Sequence, residues 1–246
     1  MPDTSPPTAD RFFNGRIHVN QPPDGYRFSL DAPLLAAHVS PAPGARVVDL
    51  GTGCGIIPLL LAHRHSSIFI AGVELQARLA NLAGENVRAN NMEDRIGIAR
   101  ADINTLGHGQ TAGRVDLVIC NPPFRKAGDG RVNPDPERAV ARHEVTITLE
   151  GIIAAAKRLL RVAGEFAIIY PAVRVIDLVT AMRAAAIEPK RLRMVHSRQT
   201  DTAKLVIVKG IKNGRPGATI EPPLVIYEAA GRQYTPEAES MMQSKF

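Results

Sequence analysis

The sequence holds no tryptophan, four tyrosines and seven phenylalanines in 246 residues. A broad aromatic platform that stacks a run of single-stranded bases is excluded, so any stacking has to come from one or two rings. Cysteine is as scarce: Cys54 and Cys120 lie far apart and match no Cys-x-x-Cys spacing. That leaves no disulfide framework and no zinc knuckle, and both read as small core residues. The seven histidines are scattered without metal-ligand spacing, so no metal site is expected. No apolar run approaches the ~20 residues that cross a bilayer. Met1–Asp10 is Pro-rich and lacks the apolar stretch of a signal peptide, which makes a cytoplasmic protein the expectation.

What is present is ordinary for a folded chain, at 45% apolar and 22% charged residues. The length fits one core with a small appendage. The expected division is a flexible tail over 1–11 and a single domain over 12–246. Within it, 12–45 form an N-terminal cap, 46–210 the core and 211–246 a C-terminal extension. Thirty Lys and Arg against twenty-four Asp and Glu give a net charge of +6, which favours a polyanionic partner such as nucleic acid.

Short apolar runs alternate with helical periodicity. Strands are predicted at Arg46–Leu50, Ile68–Val73, Ile96–Ala99, Val115–Cys120, Glu165–Tyr170, Arg191–His196 and Lys204–Lys209. Helices fall between them, with Leu75, Leu79 and Leu82 on one face and Leu149, Ile152, Ile153, Ala156, Leu159 and Leu160 on another. The alternation implies an α/β fold, a mostly parallel, doubly wound, Rossmann-like sheet whose site lies at the carboxyl ends of the strands. Arg125–Glu144, with Gly128, Gly130, Pro134 and Pro136, reads as a long loop. Leu224–Tyr227 and Glu237–Met242 read as a small terminal strand and helix.

Asp49-Leu-Gly51-Thr52-Gly53-Cys-Gly55 turns a strand into a helix over three glycines. Without Cβ atoms the backbone can lie directly against a nucleotide-like ligand. The dinucleotide fingerprint Gly-x-Gly-x-x-Gly is not met, because the third glycine arrives one residue early, which argues against NAD. Glu74 closes the next strand, where a carboxylate accepts from both ribose hydroxyls. Immediately after the fourth strand stands Asn121-Pro122-Pro123-Phe124. Two prolines fix φ and remove two N–H donors, leaving a stiff array of acceptors. An aromatic amine whose two protons are accepted by the Asn121 side-chain oxygen and the Pro122 carbonyl has its lone pair freed for attack on a methyl donor. Phe124 would then stack on a flipped base.

Gly-x-Gly-x-Gly after an Asp-ending strand resembles motif I of the S-adenosylmethionine-dependent methyltransferases. Asn-Pro-Pro-Phe resembles the signature of the amino-methyltransferases among them. Two further segments narrow the likeness to the tRNA1(Val) adenine-N6 methyltransferase family: Phe13-Asn-Gly15-Arg-Ile17 with Gln21 through Leu35, and Arg125 through Glu144. The resemblance implies a class I fold with a seven-stranded sheet whose last strand is antiparallel, S-adenosyl-L-methionine as cofactor, and methylation of the adenine beside the anticodon. It also implies that Tyr26, Arg27, Ser29 and Asp31 close over the methionine end, that Asp102 binds the adenine amino group and that Ile103 packs on its ring. Phe124 stands where adenine-specific members often have Tyr, so guanine N2 in ribosomal RNA stays open, as do a protein glutamine amide and a non-catalytic RNA-binding module.

Residues 188–215 carry eight cations against two acids. Arg191, Arg193, Arg198 and Lys204 are therefore candidates to follow an RNA backbone, with lysine-protected edge strands as the rival reading. In the 125–144 loop Arg125, Lys126, Arg131, Arg142 and His143 are candidates for local positioning of RNA. A monomer is the expected state.

Overall fold

A computed structural model describes residues 8–22, 30–111, 113–123 and 147–243. Seven strands are the ones the apolar runs predict: β3 (Arg46–Leu50), β4 (Phe69–Glu74), β5 (Ile96–Arg100), β6 (Val115–Cys120), β7 (Leu160–Pro171), β8 (Ile187–His196) and β9 (Ala203–Lys212). Two short strands, β10 (Thr219–Ile220) and β11 (Leu224–Val225), both pair with β8, so among the described residues the sheet has nine strands, two more than the predicted seven. Its order is β10-β8-β9-β7-β6-β3-β4-β5. All pairs are parallel except those made by β9, which runs antiparallel to both β7 and β8.

The burial pattern explains the layers. β3 and β6 are nearly continuous apolar runs because helices cover both faces. On one face α1 (Asp31–Ala37), α2 (Ile56–Arg64) and α3 (Ala77–Ala89) pack over Val47, Ile70, Leu117 and Ile119; on the other α4 (Leu149–Leu159) and α5 (Val175–Ala184) cover Val48, Val118, Phe166 and Ile168. Thr148 caps α4, its hydroxyl accepting from the Gly151 amide at 3.0 Å.

Three expectations are corrected. Thr8–Arg11 do not belong to a tail: β1 (Thr8–Phe12) pairs antiparallel with β2 (Ile17–Gln21) through a turn in which Phe13, Asn14 and Gly15 all have positive φ. β7 begins at Leu160, five residues early, because Ala163 at φ 60° forms an irregularity that lets the chain stay in register with β6. β8 begins at Ile187, four residues before the predicted Arg191, and Pro189 within it stands beside a register shift against β9. The terminal helix α6 (Pro236–Gln243) returns to pack against α1. The Arg125–Glu144 loop lies outside the described residues.

Candidate functional site

Strand register brings the predicted positions together. Leu50 pairs with Val73 on one side and Cys120 on the other, so Gly51 follows beside Glu74 and Asn121. Glu74 in turn pairs with Arg100, and its carbonyl accepts from the Ala101 amide at 3.1 Å, which places Asp102 next in line. Asn121, Gly51, Glu74 and Asp102 thus mark four adjacent strand ends, about 14 Å from first to last at the usual strand spacing. That row is suited to an extended nucleoside with a side arm.

The glycine loop is held open from below. Gly51 and Thr52 amides both donate to the Val73 carbonyl, at 2.9 and 3.0 Å. Gly51, Gly53 and Gly55 have φ of 73°, 58° and 84°, values that L side chains rarely adopt. A Cβ on Gly51 would meet nothing within 4 Å, so the loop borders open space, whereas one on Gly55 would stand 3.3 Å from the Ala83 Cβ of α3. Glu74, 6% exposed, accepts from the Gly53 amide at 3.0 Å through Oε2 and from the Gln76 amide at 2.9 Å through Oε1. It braces the loop and keeps further lone pairs for hydroxyl donors.

Asp49 is 1% exposed, and neither of its carboxylate oxygens has a hydrogen-bond partner among the described residues; the buried Thr52 hydroxyl likewise has none. Burial pushes the Asp49 carboxyl up to about 7, the Thr52 hydroxyl offsets part of this without forming a full hydrogen bond, and the charge of Glu74 adds to it. Buried polar atoms left this way in a native fold call for an explanation, and a ligand with donors or positive charge supplies one. S-Adenosylmethionine, with its ammonium group, sulfonium and ribose diol, matches this set of acceptors. Asp102 accepts from the Asn104 backbone and side chain through Oδ1, at 2.8 and 3.0 Å, and Ile103 is buried beside it.

Asn121 is 8% exposed, Pro122 is buried and Pro123 exposed, directly beyond β6. Asp31 opens α1, half-buried. Tyr26, Arg27, Ser29, Phe124, Arg125, Lys126, Arg131, Arg142 and His143 lie outside the described residues. Burial pushes the Cys54 thiol up to about 12 and Cys120 well above its ordinary value, which keeps both protonated and inert.

The basic stretch behaves differently from its reading as an open RNA track. Arg193 is a correction: its side chain is 13% exposed and its guanidinium donates to Glu237 at 2.6 Å and to the Pro222 carbonyl at 3.0 Å, with His38 Nε2 3.1 Å away. Arg191 pairs with Glu221, and Arg198 donates to the Gly231 carbonyl at 2.7 Å. Lys204 is exposed at the start of β9, at the carboxyl end of the parallel strands.

Two side chains that sequence reasoning passed over support the site. Arg158 of α4 donates to the carbonyls of Ile103 and Leu106, both at 2.6 Å, and so fixes the Asp102 loop. Asn86 of α3, fully buried, donates to the Cys54 carbonyl at 2.9 Å within the glycine loop. The available signal was a polar residue on the apolar face that Leu79, Ala83 and Val87 define.

The methyltransferase small domain family matches residues 29–184. A tRNA1(Val) (adenine(37)-N6)-methyltransferase of Porphyromonas gingivalis is 35% identical over 203 residues, covering 80% of this chain and 76% of the relative. One from Tolumonas auensis is 30% identical over 223 residues, covering 90% of each. Among solved structures, a predicted O-methyltransferase from Agrobacterium tumefaciens superposes with a TM-score of 0.69 at 21% identity, over 86% of this chain and 94% of the other. Geranyl diphosphate C-methyltransferase from Streptomyces coelicolor gives 0.53 at 14% identity, over 74% and 76%. The two structural likenesses establish the class I methyltransferase fold. The chain belongs to the tRNA1(Val) (adenine(37)-N6)-methyltransferase family.

Proposed function

We propose that the protein methylates N6 of adenine 37 in tRNA1(Val), using S-adenosylmethionine. The observation that carries this reading is the position of Asn121-Pro122-Pro123 at the end of β6, one strand from a glycine loop with orphaned buried acceptors. S-Adenosylmethionine, when bound, supplies an electrophilic methyl on a sulfonium. Asp49, Thr52 and the glycine loop hold its amino-acid side, Glu74 the ribose, and Asp102 with Ile103 the adenine, with Tyr26, Arg27, Ser29 and Asp31 closing over the methionine end. The Asn121 side-chain oxygen and the Pro122 carbonyl accept the two protons of the substrate amine and direct its lone pair outward. Pro122 and Pro123 have no N–H to compete for those acceptors. Phe124 stacks on the adenine. The nitrogen takes the methyl and afterwards sheds one proton, which needs no strong base, so His143 is assigned to RNA contact. Lys204, exposed at the same end of the sheet, meets the phosphate backbone.

The test is incubation of the protein with labelled S-adenosylmethionine and an unmodified tRNA1(Val) transcript, followed by nucleoside analysis. Label in N6-methyladenosine at position 37 is the expected result. Label in N2-methylguanosine would reassign the base, and none in RNA would overturn the proposal.

A further inference from the structure

Asn86 of α3 and Asn90, the residue that caps its carboxyl end, are one helical turn apart and face the same strand. Asn90 accepts from the His18 amide at 2.9 Å and donates to the His18 carbonyl at 2.7 Å. Asn86 repeats that pattern two residues along β2, accepting from the Asn20 amide and donating to the Asn20 carbonyl, both at 2.9 Å. The two side-chain amides pair with β2 much as a neighbouring strand would. The equivalence ends there, because the third bond of Asn90 runs back to the Asn86 carbonyl one turn earlier at 2.7 Å, whereas that of Asn86 runs from Nδ2 to the Cys54 carbonyl at 2.9 Å. Next to it the Ala83 Cβ approaches within 3.3 Å of where a Cβ on Gly55 would stand, so α3 bears on the glycine loop at two successive residues.

One buried amide therefore ties two segments that are far apart in sequence. The first is the glycine loop, which bears the cofactor. The second is the β1–β2 hairpin, whose strand β2 leads into the stretch containing Tyr26, Arg27 and Ser29. We infer that Asn86 is a positioning residue that locks the glycine loop and the N-terminal hairpin into one register, so that cofactor affinity depends on a side chain that does not touch the cofactor. This rests on the reading of the glycine loop as the S-adenosylmethionine cradle. The Cys54 carbonyl and the Asn20 backbone are buried or half-buried, and each loses its partner if the amide is removed. Asn90 provides the control, since it holds the same hairpin without reaching the loop.

The experiment compares Asn86→Ala, Asn86→Asp and Asn90→Ala by calorimetric titration with S-adenosylhomocysteine and by thermal melting. Asn86→Asp keeps the shape but sets an oxygen against the Cys54 and Asn20 carbonyls. Both Asn86 variants are expected to bind on the order of tenfold more weakly, as loss of a buried hydrogen bond implies. Asn90→Ala should melt lower while holding its affinity within about twofold. In turnover, the KM for S-adenosylmethionine should rise in the Asn86 variants with kcat little changed. A measurement on the wild-type protein covers the case in which the Asn86 variants do not fold: S-adenosylhomocysteine should slow hydrogen exchange of the Asn20 amide more than that of the His18 amide. Equal affinities in the three variants, or equal slowing at the two amides, would overturn the inference alone. Failure of the wild-type protein to bind S-adenosylhomocysteine would overturn the cofactor reading and this inference with it.

Discussion

At the scale of single residues, Asp49 is buried without a hydrogen-bond partner among the described residues, and Asn121 is buried at the end of β6. In the unfolded chain the Asp49 carboxyl ionises near 3.8, and in the fold not until about 7. Between those values the folded protein binds the extra proton, so this group lowers stability as pH rises from about 4 to about 7 and adds no further change above that. The cost at neutral pH is on the order of a few kcal/mol. Asp49→Asn removes it. Its melting temperature should exceed that of the wild type by a margin that grows from about pH 5 to 7 and then levels, while its affinity for S-adenosylhomocysteine falls. A margin independent of pH would show that Asp49 is not the titrating group. Asn121→Ala should reduce methyl transfer on the order of a hundredfold or more, the cost of losing one positioned polar group at a reacting centre. Retained binding of S-adenosylhomocysteine separates that loss from a folding defect, and undiminished transfer would refute the mechanism. Both residues were legible in the sequence because each stands at the end of an apolar run, where register is decided.

At the scale of elements, legibility followed burial. The central strands announced themselves because a strand covered on both faces must be apolar throughout. The β1–β2 hairpin did not: Thr8–Phe12 has no clear alternation, and its pairing is fixed partly by the Asn86 and Asn90 amides from another element. The braces of the site were hidden for the same reason, being bonds from one element to the backbone of another. Arg158 joins α4 to the loop after β5 through charge-assisted bonds. Arg158→Ala is expected to lower stability by about 1–3 kcal/mol and to raise the KM for S-adenosylmethionine without a matching loss of kcat. A second hidden brace is Gly72 in β4, where a Cβ would lie 2.9 Å from the Thr52 hydroxyl and 2.8 Å from Ile98 Cδ1. Gly72→Ala therefore displaces the glycine loop from beneath and should weaken S-adenosylhomocysteine binding in a titration, although the residue belongs to β4 and not to the loop.

At the scale of the whole molecule, part of the cationic surplus is engaged within the chain itself. Arg191, Arg193 and Arg198 bind the chain's own segment 221–237, which positions Leu224, Ile226 and Ala238 in the core. Composition alone did not distinguish that role from RNA contact, because both call for arginine on the last strands. Salt dependence does distinguish them. Lys204→Ala should reduce the slope of log affinity for tRNA against log salt by about one, whereas Arg193→Ala should melt lower with little change in that slope. The reverse pattern would make Arg193 the RNA contact. The return of the C-terminal segment also bears on how the chain is made. Phe12 and Phe13 at the first turn, Leu30 before α1, and Tyr234 and Met242 near the last described residues line one cavity of about 430 Å³, and Arg64 at the end of α2 holds the Met241 carbonyl. During synthesis from the N-terminus, α1 emerges before the whole central sheet, and its apolar side waits for α6, which follows that sheet in the chain. The nascent chain therefore presents a sticky surface while the strands between the two helices are being made, and that side of α1 is sealed only once α6 has left the ribosome.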